Sequence, residues 1–287
     1  MVVHSGLTHV PARQAPIGIF DSGVGGLTVL RELERQLPQE SALYFGDTAR
    51  LPYGDRSPEE ILAFGREIIA WMMDQGVKMV LMACNTSSAL VLEQVQQEFS
   101  VPILGLICPG ARAAAQAGQR VGVIATAATV ASDAYRQAIL EVDAKTQVWQ
   151  VACPEFVPLI EQNRLQDHHT REVAARYLRP LLAADIDTLV YGCTHYPYLE
   201  PIFQTLLPNT VQRIDPAVSL VAAAAQELEM LDLKDMSPQQ PPRFFVSGSP
   251  SQFAQRSMGW LGYRPRVQKV AMTAAMALPS ASHYPLA

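Results

Sequence analysis

Short apolar runs alternate with longer stretches of helical periodicity along most of the chain, and that alternation calls for parallel sheets. Ile17-Gly18-Ile19-Phe20-Asp21 reads as a buried strand, and Ser22-Gly23-Val24-Gly25-Gly26 as a turn into a helix. Leu43-Tyr44-Phe45 is a second strand, ending at Gly46-Asp47. Met79-Val80-Leu81-Met82 runs to Cys84, and its helix ends before Val101-Pro102-Ile103-Leu104-Gly105-Leu106. Val121-Gly122-Val123-Ile124 opens a second series, in which Thr188-Leu189-Val190-Tyr191-Gly192 runs to Cys193. Strands separated by helices pair in parallel, so the fold class is α/β. One helix start is explicit. Ser57 can cap, Pro58 suits the first helical position and Glu60 completes a capping box. Ile61, Phe64, Ile68 and Met72 then recur at helical spacing.

Bulk properties bound the rest. The 287 residues suffice for two packed units. Hydrophobic residues make up 49% and charged residues 17%, which excludes a disordered chain. Net charge is −5, the opposite of a nucleic-acid footprint. No apolar run is long enough to span a bilayer. Met1-Val2-Val3-His4-Ser5 lacks the charged and long apolar regions of a secretion signal. The four cysteines, at 84, 108, 153 and 193, are widely spread. That pattern fits a reduced, cytoplasmic chain rather than a disulfide scaffold. Gln239-Gln240-Pro241-Pro242 reads as a surface turn before Phe244-Phe245-Val246, and both ends of the chain read as loose tails.

A weak internal repeat is visible. Ile17–Ser22 resembles Val121–Thr126 at an offset of 104 (121 − 17), and the two cysteine strands match at 109 (193 − 84). Cys108-Pro109-Gly110-Ala111 echoes Asp215-Pro216-Ala217 at 107 (216 − 109). Two similar halves explain these matches, although any two α/β units share some of this pattern.

The two cysteine turns hold the chemistry. In Ala83-Cys84-Asn85-Thr86 and Gly192-Cys193-Thr194-His195, an apolar strand stops at a thiol followed by small polar residues and a helix-like stretch. Such turns lie at the carboxyl end of a sheet, where open α/β folds bind ligands, and a following helix favours thiolate. Cys153 and Cys108 lack polar followers and read as small buried apolar groups. Zinc sites bring ligands at tight spacing, and here only Cys193 and His195 are close. Redox pairs are normally adjacent. A thiol from each half suits proton removal on one face of a carbon and delivery on the other. Asp21, at a strand end, can assist Cys84, or simply cap. His195 can assist Cys193, or simply pack. Ser22, Asn85, Thr86, Thr126 and Thr194 all fall at strand-to-helix turns, where hydroxyls and free N–H groups cap helices and also receive carboxylates. Gly23-Val24-Gly25-Gly26-Leu27-Thr28 has Thr28 where a dinucleotide fingerprint needs glycine. The only lysines are Lys78, Lys145, Lys234 and Lys269, none in a glycine- or serine-rich turn, so pyridoxal phosphate is disfavoured and cofactor-free chemistry expected.

Taken together, Ile19–Val29, Phe45-Gly46-Asp47-Thr48 with Pro52-Tyr53-Gly54, Ala83–Thr86, Cys153-Pro154 with Pro158-Leu159-Ile160-Glu161, and Gly192-Cys193-Thr194-His195-Tyr196-Pro197 closely resemble the glutamate racemases of the cofactor-independent aspartate/glutamate racemase superfamily. The resemblance covers about residues 16 to 262. It implies an isomerase that interconverts L- and D-glutamate without metal or cofactor and supplies D-glutamate for peptidoglycan. It implies that Cys84 deprotonates the D-enantiomer with help from Asp21, and Cys193 the L-enantiomer with help from Glu161 and His195. It further implies substrate contacts at Asp21, Ser22, Tyr53, Gly54, Asn85, Thr86, Thr194 and His195, with Thr126 or Thr129. The implied fold is two pseudo-symmetric α/β domains, 16–107 plus 217–271 and 108–216, facing each other across the site, with flexible tails at 1–15 and 272–287. A homodimer is expected, with no nucleic acid or membrane partner. Aspartate racemase or another superfamily activity is the alternative, and protein-binding inhibition of DNA gyrase a more distant one.

Overall fold

The computed structural model describes residues 12–237 and 240–272. Met1–Ser5, read as lacking a secretion signal, most of both tails and Gln239 of the expected surface turn lie outside the described residues. Residues 12–15, expected in the N-terminal tail, are placed: Ala12–Gln14 form a 3-10 turn and Ala15 is buried.

Among the described residues, ten strands form two sheets. They are β1 (Ile17–Asp21), β2 (Ala42–Gly46), β3 (Met79–Met82), β4 (Ile103–Gly105), β5 (Arg120–Ala125), β6 (Gln147–Ala152), β7 (Thr188–Gly192), β8 (Gln212–Ile214), β9 (Arg243–Val246) and β10 (Val267–Lys269). The first sheet has the order β10-β9-β2-β1-β3-β4 and the second β6-β5-β7-β8. Every described ladder is parallel, with Ile17 opposite Ala42 and Met79 in the first sheet and Val121 opposite Val148 and Thr188 in the second. Strands β1, β2, β3 and β7 are buried at every position, as helices on both faces require. Their continuous apolar runs are the sequence trace of that burial.

Four consecutive strands of the first sheet, ending at its β4 edge, repeat the order of the second, β2-β1-β3-β4 against β6-β5-β7-β8. The 109-residue offset joins β3 to β7 (188 − 79) and β4 to β8 (212 − 103). The internal repeat is therefore a repeat of topology.

Local signals fix the helices. Ser57 and Glu60 form a reciprocal capping box at the start of the helix Pro58–Asp74. Ile61, Ile68 and Met72 are buried on its inner face, and Phe64 is partly buried under the Arg50 guanidinium. Asp215 caps the helix Pro216–Met230 through Ala217 N at 3.0 Å, and Leu220, Val221, Ala224 and Leu228 form its buried stripe. This helix packs against Ile107–Ala117 beside the points where the chain passes between the sheets. The approach is close, since a methyl group on Gly110 would lie 2.9 Å from Pro216 Cβ.

A buried ion pair ties down the edge of the fold away from the thiols. Lys78 Nζ lies 2.5 Å from Glu40 Oε2 and donates to the carbonyls of Arg13 (2.6 Å) and Leu233 (2.8 Å). Glu40 Oε1 in turn accepts from Asp235 N at 2.9 Å. Removing one partner strands the other charge without water. Lys78→Ala is expected to cost about 3–5 kcal/mol, read as a lower urea midpoint with an unchanged denaturant slope.

Candidate active site

Each sheet reverses its strand order beside its first strand. Helices leaving neighbouring strands there go to opposite faces and open a crevice at the carboxyl ends. In the first sheet those ends bring Asp21 and Cys84, and in the second Thr126 and Cys193. The two crevices share one cavity of about 350 Å³. That is the lower end of the range for small-molecule sites, roughly 300–1,000 Å³. Of the residues singled out from sequence, Asp21, Ser22, Tyr53, Gly54, Cys84, Asn85, Thr86, Thr126, Glu161, Cys193, Thr194 and His195 line it. Thr129 stands behind Thr126, bonded to it at 2.9 Å.

Cys84 is the N-cap of the helix Asn85–Glu98, in extended backbone. Burial, then the charge of Asp21, push its thiol up to about 12. The helix dipole does not overcome a buried setting beside a carboxylate. Asp21 accepts from Gly23 N at 2.9 Å and from Thr194 Oγ1 at 3.3 Å. Burial raises its carboxyl, while the His195 charge and nearby backbone N–H groups oppose that rise.

The Cys193 half differs from expectation in one respect. No α-helix begins at this thiol. Tyr196–Leu199 form a 3-10 turn first, and the α-helix Glu200–Leu206 follows. Pro197 and Pro201 remove N–H donors from this stretch, and the short turn carries little dipole. Side chains provide the electrostatics instead. Cys193 Sγ lies 3.8 Å from His195 Nδ1, and His195 Nε2 lies 3.0 Å from Glu161 Oε1. Burial opposes charge on His195, but its bonds to Cys193 and Glu161 win and raise its pKa well above the usual value. Burial likewise opposes charge on Glu161, yet His195 and Arg256 hold its carboxyl below the usual range.

The remaining polar groups form a cross-cleft lining. Thr86 from the first half meets Thr126 at 3.0 Å and Thr129 at 3.4 Å in the second. Tyr135 OH donates to Asn85 Oδ1 at 2.6 Å, leaving the buried Asn85 Nδ2 without a partner. An orphan donor on a cavity wall is a ready site for a ligand oxygen. Tyr53 is held by its hydroxyl on Asp47 and by Phe64, 5.7 Å away between ring centres. The glycine-rich turn has a steric role rather than a phosphate-binding one. A methyl group on Gly25 would come within 2.4 Å of His195 Nδ1 and 2.5 Å of Thr194 Oγ1.

Two further observations qualify the sequence reading. Cys153 is buried as expected, whereas Cys108, expected to be buried, is exposed on the helix Ile107–Ala117. Arg256, from the helix Pro250–Leu261, lines the cavity and pairs with Glu161 at 2.8 Å. Nothing in its local sequence marks it, because its partner is 95 positions away. Among the described residues, no group of three His, Cys, Asp or Glu is placed to hold a metal ion.

Residues 17–224 match the family model described as Asp/Glu/Hydantoin racemase. The chain belongs to this family. A Gloeothece citriformis protein named glutamate racemase is 65% identical over 258 residues, spanning 90% of this chain and 93% of that one. A glutamate racemase of Trichormus variabilis is 62% identical over 268 residues, spanning 93% and 92%. Among solved structures, a glutamate racemase isoform from Bacillus anthracis has a TM-score of 0.87 at 38% identity, over 90% of this chain and 98% of that one. The Francisella tularensis glutamate racemase in complex with D-glutamate has a TM-score of 0.84 at 33% identity, over 90% and 97%.

Asp21 raises the Cys84 pKa, so Asp21→Asn is expected to lower it and bring Cys84 alkylation to lower pH. Peptide mass spectrometry of iodoacetamide labelling against pH reads this directly. An unchanged labelling curve would remove Asp21 from the account of that thiol.

Proposed function

We propose that this chain racemises glutamate by moving one proton off Cα and another onto its opposite face, using Cys84 and Cys193 as the two bases and no cofactor. The observation that carries this reading is one thiol from each half of a repeated topology, both buried on one small cavity. The relatives named glutamate racemase and the D-glutamate complex of one of them supply the substrate. They favour neither the aspartate nor the gyrase-binding alternative. The product serves peptidoglycan synthesis, as follows from the family.

The step balances without an outside reagent. In the L to D direction, the Cys193 thiolate takes the Cα proton and the C–H electron pair passes toward the α-carboxylate. The Cys84 thiol then delivers its proton to the other face, leaving thiolate behind. The reverse direction exchanges the roles. Burial and the Asp21 charge hold the Cys84 thiol up to about 12, so it carries the proton that this direction must deliver. The Glu161–His195 pair at the other thiol accepts and returns charge as Cys193 changes state. Asn85 Nδ2 and the Ser22, Thr86 and Thr194 hydroxyls offer donors to the carboxylates. Tyr53, Gly54, Thr126 and Thr129 complete the lining.

The division into 16–107 with 217–271 and 108–216 has support from the strands, with β1–β4, β9 and β10 in one sheet and β5–β8 in the other. Among the described residues no helix is long and apolar enough to cross a membrane. A cytoplasmic homodimer without nucleic-acid or membrane partners completes the reading. Light scattering after size exclusion is expected to give twice the chain mass, and a monomer would remove the dimer.

In D2O with L-glutamate and no added cofactor, optical rotation is expected to decay to zero while Cα gains deuterium. L-Aspartate in the same assay is expected to stay unchanged. Cys84→Ala and Cys193→Ala should each abolish racemisation while the fold remains. Near-normal turnover in either variant would overturn the two-base assignment. Because enantiomers have equal free energies, His195→Asn must lower kcat/KM by the same factor in both directions. The substrate deuterium isotope effect distinguishes the halves: it should rise for L-[2-²H]glutamate and fall for the D-form.

A further inference from the structure

We infer that Arg256 is a positioning residue for the Cys193 half of the site, reaching from the first lobe across the cleft to hold the chain Glu161–His195–Cys193 in its working orientation. This rests on the two-base reading above. The helix Pro250–Leu261 that carries Arg256 lies between β9 and β10 of the first sheet, whereas Glu161 ends the helix Phe156–Glu161 that follows β6 of the second. The guanidinium therefore bridges the lobes. The two oxygens of Glu161 are divided: Oε2 meets Arg256 Nη1 at 2.8 Å and Oε1 meets His195 Nε2 at 3.0 Å. A carboxylate held on one oxygen presents the other at a fixed angle, so the imidazole is set with Nδ1 toward Cys193 Sγ at 3.8 Å.

The burial contrast makes the bridge asymmetric. The Arg256 side chain is 44% exposed, while that of Glu161 is 10% exposed. The ion pair alone is screened, as surface pairs are. Its leverage comes through the buried partner, whose other oxygen touches the proton-handling imidazole. Together with Gln162, the pair also forms the wall shared by the reaction cavity and a neighbouring pocket of about 570 Å³ beside Ile160 and Trp260. Losing the guanidinium both frees Glu161 and opens that wall to water.

The charged and titratable groups acting with Glu161 are His195, Arg256, Asp21, Tyr44 and Tyr198, with a smaller lowering influence from the Val24 backbone. Of these, His195 and Arg256 hold its carboxyl below the usual range. Removing Arg256 deletes one lowering influence, so Glu161 takes a proton at higher pH and releases His195 earlier as pH falls. The acid limb of activity must then move toward higher pH.

The test compares the wild-type chain with Arg256→Gln and Arg256→Lys, measuring kcat and KM for L-glutamate against pH together with thermal stability. For Arg256→Gln the expected result is a loss in kcat of about five- to tenfold at pH 7, with KM and Tm little changed and the acid limb moved up. Arg256→Lys, which keeps the charge, is expected to restore the acid limb and much of the kcat. A wild-type acid limb and kcat in Arg256→Gln would overturn the inference. A loss confined to KM would make Arg256 a substrate contact instead, and a loss that tracks Tm at every pH would make it a structural strut. If the wild-type chain itself fails to racemise glutamate, the two-base reading falls and Arg256 is not at issue.

Discussion

Everything at this site follows from the way a parallel sheet spreads its helices where strand order reverses. Either side of β1, the chain turns away to opposite faces, and the same happens beside β5. The carboxyl ends left between those helices cannot be filled by the sheet's own core. Each half therefore presents an open crevice, and setting two crevices mouth to mouth encloses a cavity that neither could close alone. The helices Ile107–Ala117 and Pro216–Met230, packed as closely as Gly110 and Pro216 allow, hold the halves in that relation from behind. Gly25 does the same at the front, since any side chain there would collide with Thr194 and His195.

Within that frame the two thiols are placed alike and treated differently. Cys84 sits at a helix start beside a buried carboxylate, and burial together with that negative neighbour keeps its proton on. Cys193 lacks the helix and instead faces an imidazole whose positive charge is sustained by Glu161. Two such settings leave one thiol a natural donor and give the other a partner that tolerates its thiolate. Racemisation needs one of each at the start of every turnover.

Much of this was legible in the sequence because it was local. Strands buried on both faces must be apolar throughout, so β1, β3, β5 and β7 stood out as runs, and the capping box at Ser57 announced its helix. The cysteine turns were visible for the same reason: strand, thiol and small polar residues are contiguous. Long-range features were less readable. Arg256 looks like any exposed helix arginine until the fold brings it to Glu161. The turn after Cys193 has helical periodicity, but Pro197 and Pro201 shorten its first part to a 3-10 turn. Cys108 was misread because a cysteine without polar followers is usually core, whereas its helix turns it outward. The glycine-rich turn lacks the third glycine of a dinucleotide fingerprint, and its sequence does not say what the glycines are for. Its real constraint is the approach of His195, a residue 170 positions away (195 − 25).

A repeated topology suits this chemistry for a reason that also explains why the repeat is imperfect. The enantiomers of an amino acid differ only in which face of Cα holds hydrogen, so a racemase needs equivalent proton handling on both faces, and in the proposed two-base reading duplicated strand-end thiols supply it. The rest of the substrate is not symmetric about that carbon. Its carboxylates must be held in one place while the proton moves, and only one half needs to donate to them at any given point. The donors follow this logic. Asn85 follows Cys84 with Nδ2 orphaned, whereas Thr194 follows Cys193 with its hydroxyl on Asp21 and the Glu161–His195 pair beside it; the Thr86–Thr126–Thr129 cluster is shared between the halves. The backbone repeats because the reacting carbon has two faces, and the side chains diverge because the molecule attached to it has only one orientation.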